Sequence, residues 1–326
     1  AQDDSSIQLD PIPGWFDQVS RNSRSAAWGD LDNDGDLDLV VGTLEQGVRI
    51  FENFDGQLAD SAIILPVYSA GEHLRLADMN DDGRLDILLG NFSLYTNAAQ
   101  VNQILLNLSQ PGSAIVFPSQ PDVTTVIADK TKGIAVGDLN GDALPELIVA
   151  DDFSFTIYTN RLVDGQVELS AGPAFDLLGD GVVKAIQLAD VDQDERLEVT
   201  VAVDTPFNDP SVLVFRFVGG EPQLEQQLYM LDPEATEVPM NPGPGDLFEE
   251  YAGAISDMDW GDMTGDGYPE LAVVTDLGDY QVFANVEGRM DDAPYWMPHA
   301  DLNAAGGDAE TVAVAWGDAD NDGDLD

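Results

Sequence analysis

The sequence predicts an all-β chain folded as a β-propeller of four-stranded blades, and three observations predict it. One acidic segment recurs six times with the same order of chemical types, its copies lie at blade-sized intervals, and apolar runs of strand length follow it. The segment reads SAAWGDLDNDGDLDLVVG from Ser25 to Gly42, LRLADMNDDGRLDILLG from Leu74 and IAVGDLNGDALPELIVA from Ile134. It returns as IQLADVDQDERLEVTVA from Ile186, MDWGDMTGDGYPELAVV from Met258 and VAWGDADNDGDLD from Val314. First aspartates fall at Asp30, Asp78, Asp138, Asp190, Asp262 and Asp318, at intervals of 48, 60, 52, 72 and 56 residues. Such intervals are longer than a solenoid coil and suit four strands with variable loops.

Each acidic loop leads into an apolar, β-branched run such as Leu37 to Val41 or Leu197 to Val203, the pattern of a buried strand. A further strand follows in GVRIFEN from Gly47, NQILLNL from Asn102, FTIYTN from Phe155, SVLVFRF from Ser211 and YQVFANV from Tyr280. Several of these end at Asn or Gly before a polar hairpin, at Asn53 to Gly56, Val163 to Gly165 and Val286 to Gly288. With the short strand before the loop and a more variable outer strand, each unit has four strands. Five blades are complete, and a sixth stops at Asp326 after its first strand and loop, so the chain is expected to continue. The N-terminal LDPIPGWFDQ resembles the stretch before copy six and reads as an outer strand. Residues 1–326 are expected to form one propeller domain, with 231–251, rich in proline and acid, as a surface loop insertion.

Counted from its first aspartate, each loop offers oxygen at positions 1, 3, 5 and 9. These are Asp30, Asp32, Asp34 and Asp38; Asp78, Asn80, Asp82 and Asp86; Asp138, Asn140, Asp142 and Glu146; Asp190, Asp192, Asp194 and Glu198; Asp262, Thr264, Asp266 and Glu270; and Asp318, Asp320, Asp322 and Asp326. The main-chain carbonyl of position 7 (Asp36, Arg84, Leu144, Arg196, Tyr268, Asp324) adds another. Alternate carboxylates on a tight turn suit a hard cation taking six to eight oxygens, and Ca2+ fits that demand better than Mg2+. Position 6 is Gly35, Gly83, Gly267 and Gly323 in four copies, as a turn with positive φ requires, whereas Ala143 and Glu195 break the rule. An EF-hand would need a bidentate Glu at position 12, which here is Val41, Leu89, Val149, Val201 or Val273 within strand-like runs.

With these residues the repeat resembles the FG-GAP or VCBS type, the unit of the integrin α-subunit propeller and of many secreted microbial proteins. WGDLDNDGDLDLVVG at Trp28 is close to that pattern. The resemblance implies that the loop joins the first and second strands of a blade, binds calcium, and belongs to rings that commonly have seven blades. AWG, LAD or VGD before the loop places the chain nearer the microbial variants than the integrins. Trp28, Trp260 and Trp316, each two residues before a first aspartate, read as repeat-packing residues. Trp15 and Trp296 are candidates for a sugar or partner surface.

Composition bounds the partners. Lys and Arg total 12 against 62 Asp and Glu, a formal charge of -50, which excludes nucleic acid and anionic membranes. There is no cysteine, and no apolar run of membrane-spanning length occurs. Residues 1–10 lack the basic and apolar regions of a signal peptide, so Ala1 is compatible with a mature N-terminus. Asn91 and Asn107 head glycosylation sequons. Neither His73 nor His299 belongs to a nucleophile motif. The expected function is a calcium-stabilised structural and binding module, secreted or on the cell surface, acting in adhesion or extracellular assembly. Its ligand would be a protein or polysaccharide, with self-assembly also open. The alternative is a propeller-type polysaccharide lyase, glycosidase or lectin.

Overall fold

The computed structural model describes Trp15, Leu325 and residues 22–44, 47–67, 73–93, 98–127, 130–177, 181–205, 208–218, 220–230, 254–276, 280–294 and 313–317. Every regular element among them is a strand. Blade one contains β1 (Ser23–Gly29), β2 (Asp38–Thr43), β3 (Gly47–Phe51), the small hairpin of β4 (Asn53–Phe54) and β5 (Gln57–Leu58), and β6 (Ile63–Leu65). Blade two contains β7 (His73–Ala77), β8 (Asp86–Gly90), the hairpin β9 (Phe92–Ser93) and β10 (Ala98–Ala99), β11 (Gln103–Leu105) and β12 (Val123–Thr124). Blade three is β13 (Gly133–Gly137), β14 (Glu146–Ala150), β15 (Ser154–Val163) and β16 (Gln166–Asp176). Blade four is β17 (Val182–Ala189), β18 (Glu198–Thr205), β19 (Asn208–Val218) and β20 (Glu221–Tyr229). Blade five has β21 (Ile255–Gly261), β22 (Glu270–Thr275) and β23 (Tyr280–Phe283), followed by the hairpin β24 (Asn285–Val286) and β25 (Arg289–Met290). Blades one to four are antiparallel four-stranded sheets, and blade five shows three strands among the described residues.

The first strands β1, β7, β13, β17 and β21 stand side by side in that order, which arranges the blades in a ring. The core lies between blades. Blade one meets blade two through Val40, Val48 and Ile50 against Leu74, Ile87 and Leu89. Blade three turns Leu147 and Val149 towards blade two, and Ile148 and Ala150 towards blade four. Alternate side chains thus leave on opposite faces and both faces are covered, which is why the middle strands read as unbroken apolar runs instead of alternating with polar residues. Strands β8, β14 and β22 are buried along their whole length.

Turn chemistry follows the sequence reading. Asp55 and Gly56, Asp164 and Gly165, and Glu287 and Gly288 each form a pair with positive φ at a hairpin tip, the conformation of a type I′ turn. The packing role of the tryptophans is also visible. A Cβ on Gly261 would lie 2.5 Å from the Trp316 ring, so only glycine lets the next blade close on that position. Trp260 packs against the core between blades four and five. Trp28 differs at 56% exposed, because no preceding blade covers it among the described residues. Trp15 packs edge-on against Phe51 with ring centroids 4.8 Å apart, so it is engaged with blade one. Residues 231–251, Trp296, His299 and the sixth loop, with Asp318, Asp320, Asp322, Asp324 and Asp326, lie outside the described residues. Asn91 and Asn107 are buried and their amide nitrogens donate to Val101 O and to Leu31 O, so neither sequon presents a free acceptor.

Candidate metal loops and the axial cavity

Each of the five described acidic loops joins the first and second strands of its blade, and two residues with positive φ set its path. Position 6 takes this conformation at Gly35 (101°), Gly83 (79°), Ala143 (72°), Glu195 (64°) and Gly267 (93°). The glycine rule is therefore a backbone rule, and Ala143 and Glu195 meet it at a cost of about 1 kcal/mol each. Position 4 does the same at Asn33, Asp81, Gly141, Gln193 and Gly265. Sequence reasoning missed it, although Asn, Asp and Gly are the residues that tolerate that conformation.

The loop wraps around its own acids. Oxygens of Asp30 accept N–H bonds from Asp34 (3.1 Å) and Gly35 (3.0 Å), and Asp78, Asp190 and Asp262 receive the same pair. Asp138 accepts from Gly141 and Ala143. The position 5 carboxylates of Asp34, Asp82, Asp142, Asp194 and Asp266 accept the N–H of position 7, from Asp36, Arg84, Leu144, Arg196 and Tyr268. The position 9 carboxylates arrive from the start of the second strand and are buried: Asp38 and Glu198 are 1% exposed and Asp86 is fully enclosed. Each accepts the N–H of position 2 at 2.9 or 3.0 Å, from Leu31, Met79, Leu139, Val191 and Met263.

Among the described residues, positions 1, 3 and 9 come together in loop one and positions 1, 3 and 5 in loop four. Single carboxylate oxygens of Asp30, Asp32 and Asp38 lie within 4.8 Å of one another, as do those of Asp190, Asp192 and Asp194. The acids resist ionisation there. Burial, with neighbouring carboxylates adding to it, raises the pKa of Asp32, Asp38, Glu146 and Glu270, lifts Asp86 to about 6 and Glu198 to about 7. Asp32 Oδ1 in loop one and Asn80 Oδ1 in loop two are buried with no hydrogen-bond partner. An all-oxygen donor set with concentrated negative charge and inward oxygens lacking a donor fits a hard divalent cation.

A second repeated feature lies at the end of the third strand. Asn107 Nδ2 donates to Leu31 O at 2.8 Å, Asn160 Nδ2 to Met79 O at 2.8 Å and Asn285 Nδ2 to Val191 O at 2.8 Å. Each amide thus clasps position 2 of the preceding blade's acidic loop. The signal was the Asn that ends GVRIFEN, FTIYTN and YQVFAN; blade four has Phe217 at that register. Asn53 has the same place in blade one, where its amide donates to Leu37 O of its own blade.

A cavity of about 740 Å³ occupies the ring axis, walled by all five first strands and by residues 313–315. Arg24, His73, Arg75, Lys132 and Lys184 line it, so four of the chain's 12 Lys and Arg residues face one space in a protein of charge -50. Lys132 pairs with Asp152 at 3.2 Å and Lys184 with Asp204 at 3.7 Å. Burial, reinforced by Arg75 and Lys132, lowers His73 to about 4, which keeps its imidazole neutral. Across the axis Asp257 and Asp259, raised by burial, accept N–H bonds from Val314 and Trp316.

The chain carries an FG-GAP-like repeat, matched by that family over residues 30–89, which spans the first two acidic loops. No curated protein sequence matches. Among solved structures the chain is similar to an Agrocybe aegerita lectin studied for specific recognition of non-reducing terminal N-acetylglucosamine. The two share 16% identity and a TM-score of 0.48, over 83% of this chain and 66% of that one, so the chain spans just under two thirds of the lectin's length.

Proposed function

We propose that the chain is a calcium-stabilised β-propeller serving as a structural and binding module of a secreted or cell-surface protein. The observation that carries this reading is the buried position 9 carboxylate of every described loop, set against two or three further acids, with no ion pair to the acids of loops one, three and five among the described residues. A resting cytosol holds too little calcium for loops of the extracellular class, whose dissociation constants are on the order of 0.1 to 1 mM, so the reading also supports an exported protein. Asp30, Asp32, Asp34 and Asp38 would hold the ion in loop one, with their counterparts in the other loops, and the ion would supply the countercharge that fixes the turn. Calcium titration with ion counting by mass spectrometry tests this, and a chain that stays metal-free in millimolar calcium would refute it.

The partner, a protein or polysaccharide, has its best-suited surface at the axial cavity, where cations gather against an otherwise acidic exterior. A second reading rests on the same place. His73, Arg75, Asp257 and Asp259 are not repeated from blade to blade, and such a cluster is what a carbohydrate-processing centre would need. Incubation with acidic polysaccharides separates the two: shortened chains would favour the enzyme, and retention without cleavage the binding module.

A further inference from the structure

We infer that blade four carries its own cation, the Arg216 guanidinium, in the acidic loop where the other blades take calcium. This rests on the calcium reading of the remaining loops. Near the end of β19 blade four has Arg216, opposite Glu198 on β18 and one residue before Phe217, which holds the register of Asn107, Asn160 and Asn285. Its guanidinium turns into its own loop. It donates to Asp192 at position 3, lies 4.0 Å from Oε1 of the buried Glu198 at position 9, and bonds Glu225 Oε2 of the neighbouring strand at 3.1 Å. These are the two inward positions of the loop, and Glu198 Oε1 has no hydrogen-bond partner, so the guanidinium is the positive charge it faces. Burial opposes the charge on Arg216, but Glu225, Asp192 and Glu198 outweigh it and raise its pKa further.

Loop two shows that an arginine near a loop is not enough. Arg84 pairs with Asp82 at the rim and donates to Asn107 O, and it touches neither Asn80 nor Asp86 in any bond the structure records. Arg216, by contrast, stands between positions 3 and 9, where an ion would need both oxygens. A tethered cation is always present, so a dissolved divalent ion has to displace it and leave a guanidinium beside a like charge. The cluster of Asp190, Asp192 and Asp194 has ligand spacing, yet its inward face is taken.

Blade four also lacks the amide clasp, since Phe217 stands at the Asn register. Where an amide clasps blades one and two, two and three, and four and five, a cleft of about 730 Å³ separates blades three and four, lined by Leu139, Ile157, Phe175, Phe217, Glu198 and Arg216.

The test is the number of calcium ions bound per folded chain, counted by mass spectrometry after equilibrium dialysis at saturating calcium. Arg216→Asn is expected to bind one ion more than the wild-type chain. Equal, non-zero counts would overturn the inference, whereas a wild-type chain with no calcium would overturn the calcium reading itself. Should Arg216→Asn fail to fold, the parent chain still decides. Asp192→Asn should leave its ion count unchanged while Asp82→Asn lowers it by one, and a loss of one ion in Asp192→Asn would refute the role of Arg216.

Discussion

Blades two and three are held together at their acidic loops by the Asn160 amide, and blades three and four, with Phe217 at the same register, are not. The two junctions otherwise share their design. Both pack aliphatic side chains from opposite faces of neighbouring sheets, and both place a buried acid at the start of the second strand. The difference shows that contact between blades and charge balance in a loop are set by two adjacent residues at the end of the third strand. In blade three Asn160 reaches back to the previous blade and Thr159 before it brings no charge to the loop. In blade four Phe217 offers no amide to the neighbour and Arg216 before it fills the loop.

Calcium removal is the strongest way to sharpen this contrast. Each site held at ten times its dissociation constant adds about 1.4 kcal/mol, so loops one, two, three and five together add about 5–6 kcal/mol. At roughly 2 °C per kcal/mol for a chain of this size, chelation should lower the melting temperature by about 10 °C, and calcium should restore more than magnesium does. Asp34→Ala and Asp82→Ala should each remove a part of the calcium-dependent gain, while Asp60→Ala should leave it intact. Calorimetry with and without chelator checks all of these, and an unchanged transition in metal-free protein would break the comparison.

Acidity gives the next largest effect. In chelator, the folded state holds a proton on Asp86 to about pH 6 and on Glu198 to about pH 7, whereas the ordinary values are 3.8 and 4.5. The folded chain therefore binds more protons than the unfolded chain between those limits, and its stability falls as pH rises from about 4 to 7. Shifts of this size correspond to about 3 kcal/mol apiece. Asp86→Asn and Glu198→Gln should flatten the decline in urea melts across that range. Saturating calcium should flatten the Asp86 part selectively, because an ion in loop two replaces the proton.

The clasp is worth less. Asn160→Ala leaves Met79 O buried without its donor and should cost about 1–3 kcal/mol, with a similar loss for Asn285→Ala at Val191 O. Asn53→Ala should cost less, since its amide bonds only Leu37 O in an exposed setting. Equal losses at Asn53 and Asn160 would show that the amide serves its own hairpin and not the blade junction.

Much of this was legible in the sequence because repetition converts single-residue guesses into a register. The acidic loops, the strands after them and the I′ hairpins fell where DxDxDG, the apolar runs and the Asp-Gly or Glu-Gly pairs placed them. Oxygens of Asp30, Asp32 and Asp38, and of Asp190, Asp192 and Asp194, gather because alternate residues of a tight turn share a side. The clasp was not legible, since Asn160 and Met79 are 81 residues apart and the amide has meaning only once the blades are neighbours. Arg216 was hidden for a similar reason, since Asp192 is 24 residues away and the two meet only once β19 lies beside its own loop. The axial gathering of Arg24, Lys132 and Lys184 was present as a shared position six residues before each first aspartate, but that position faces the axis only when the first strand is innermost.

The smallest effect separates the loops by backbone alone. Loops one, two and five have glycine at position 6, and loops three and four hold Ala143 at φ 72° and Glu195 at φ 64°. A side chain in that conformation costs about 1–2 kcal/mol, whereas glycine gives back about 0.4–1 kcal/mol through the freedom of the unfolded chain. Ala143→Gly should therefore stabilise the protein by about 0.5–1 kcal/mol. Glu195→Gly should do at least as well, because it also removes one acid from a crowded loop. Gly83→Ala should move in the opposite direction by a similar amount, and it tests the backbone cleanly because a Cβ there meets nothing within 4 Å. Urea melts of the three variants in saturating calcium read these differences. A loss of stability in Ala143→Gly would mean that the loop tolerates its side chain without strain.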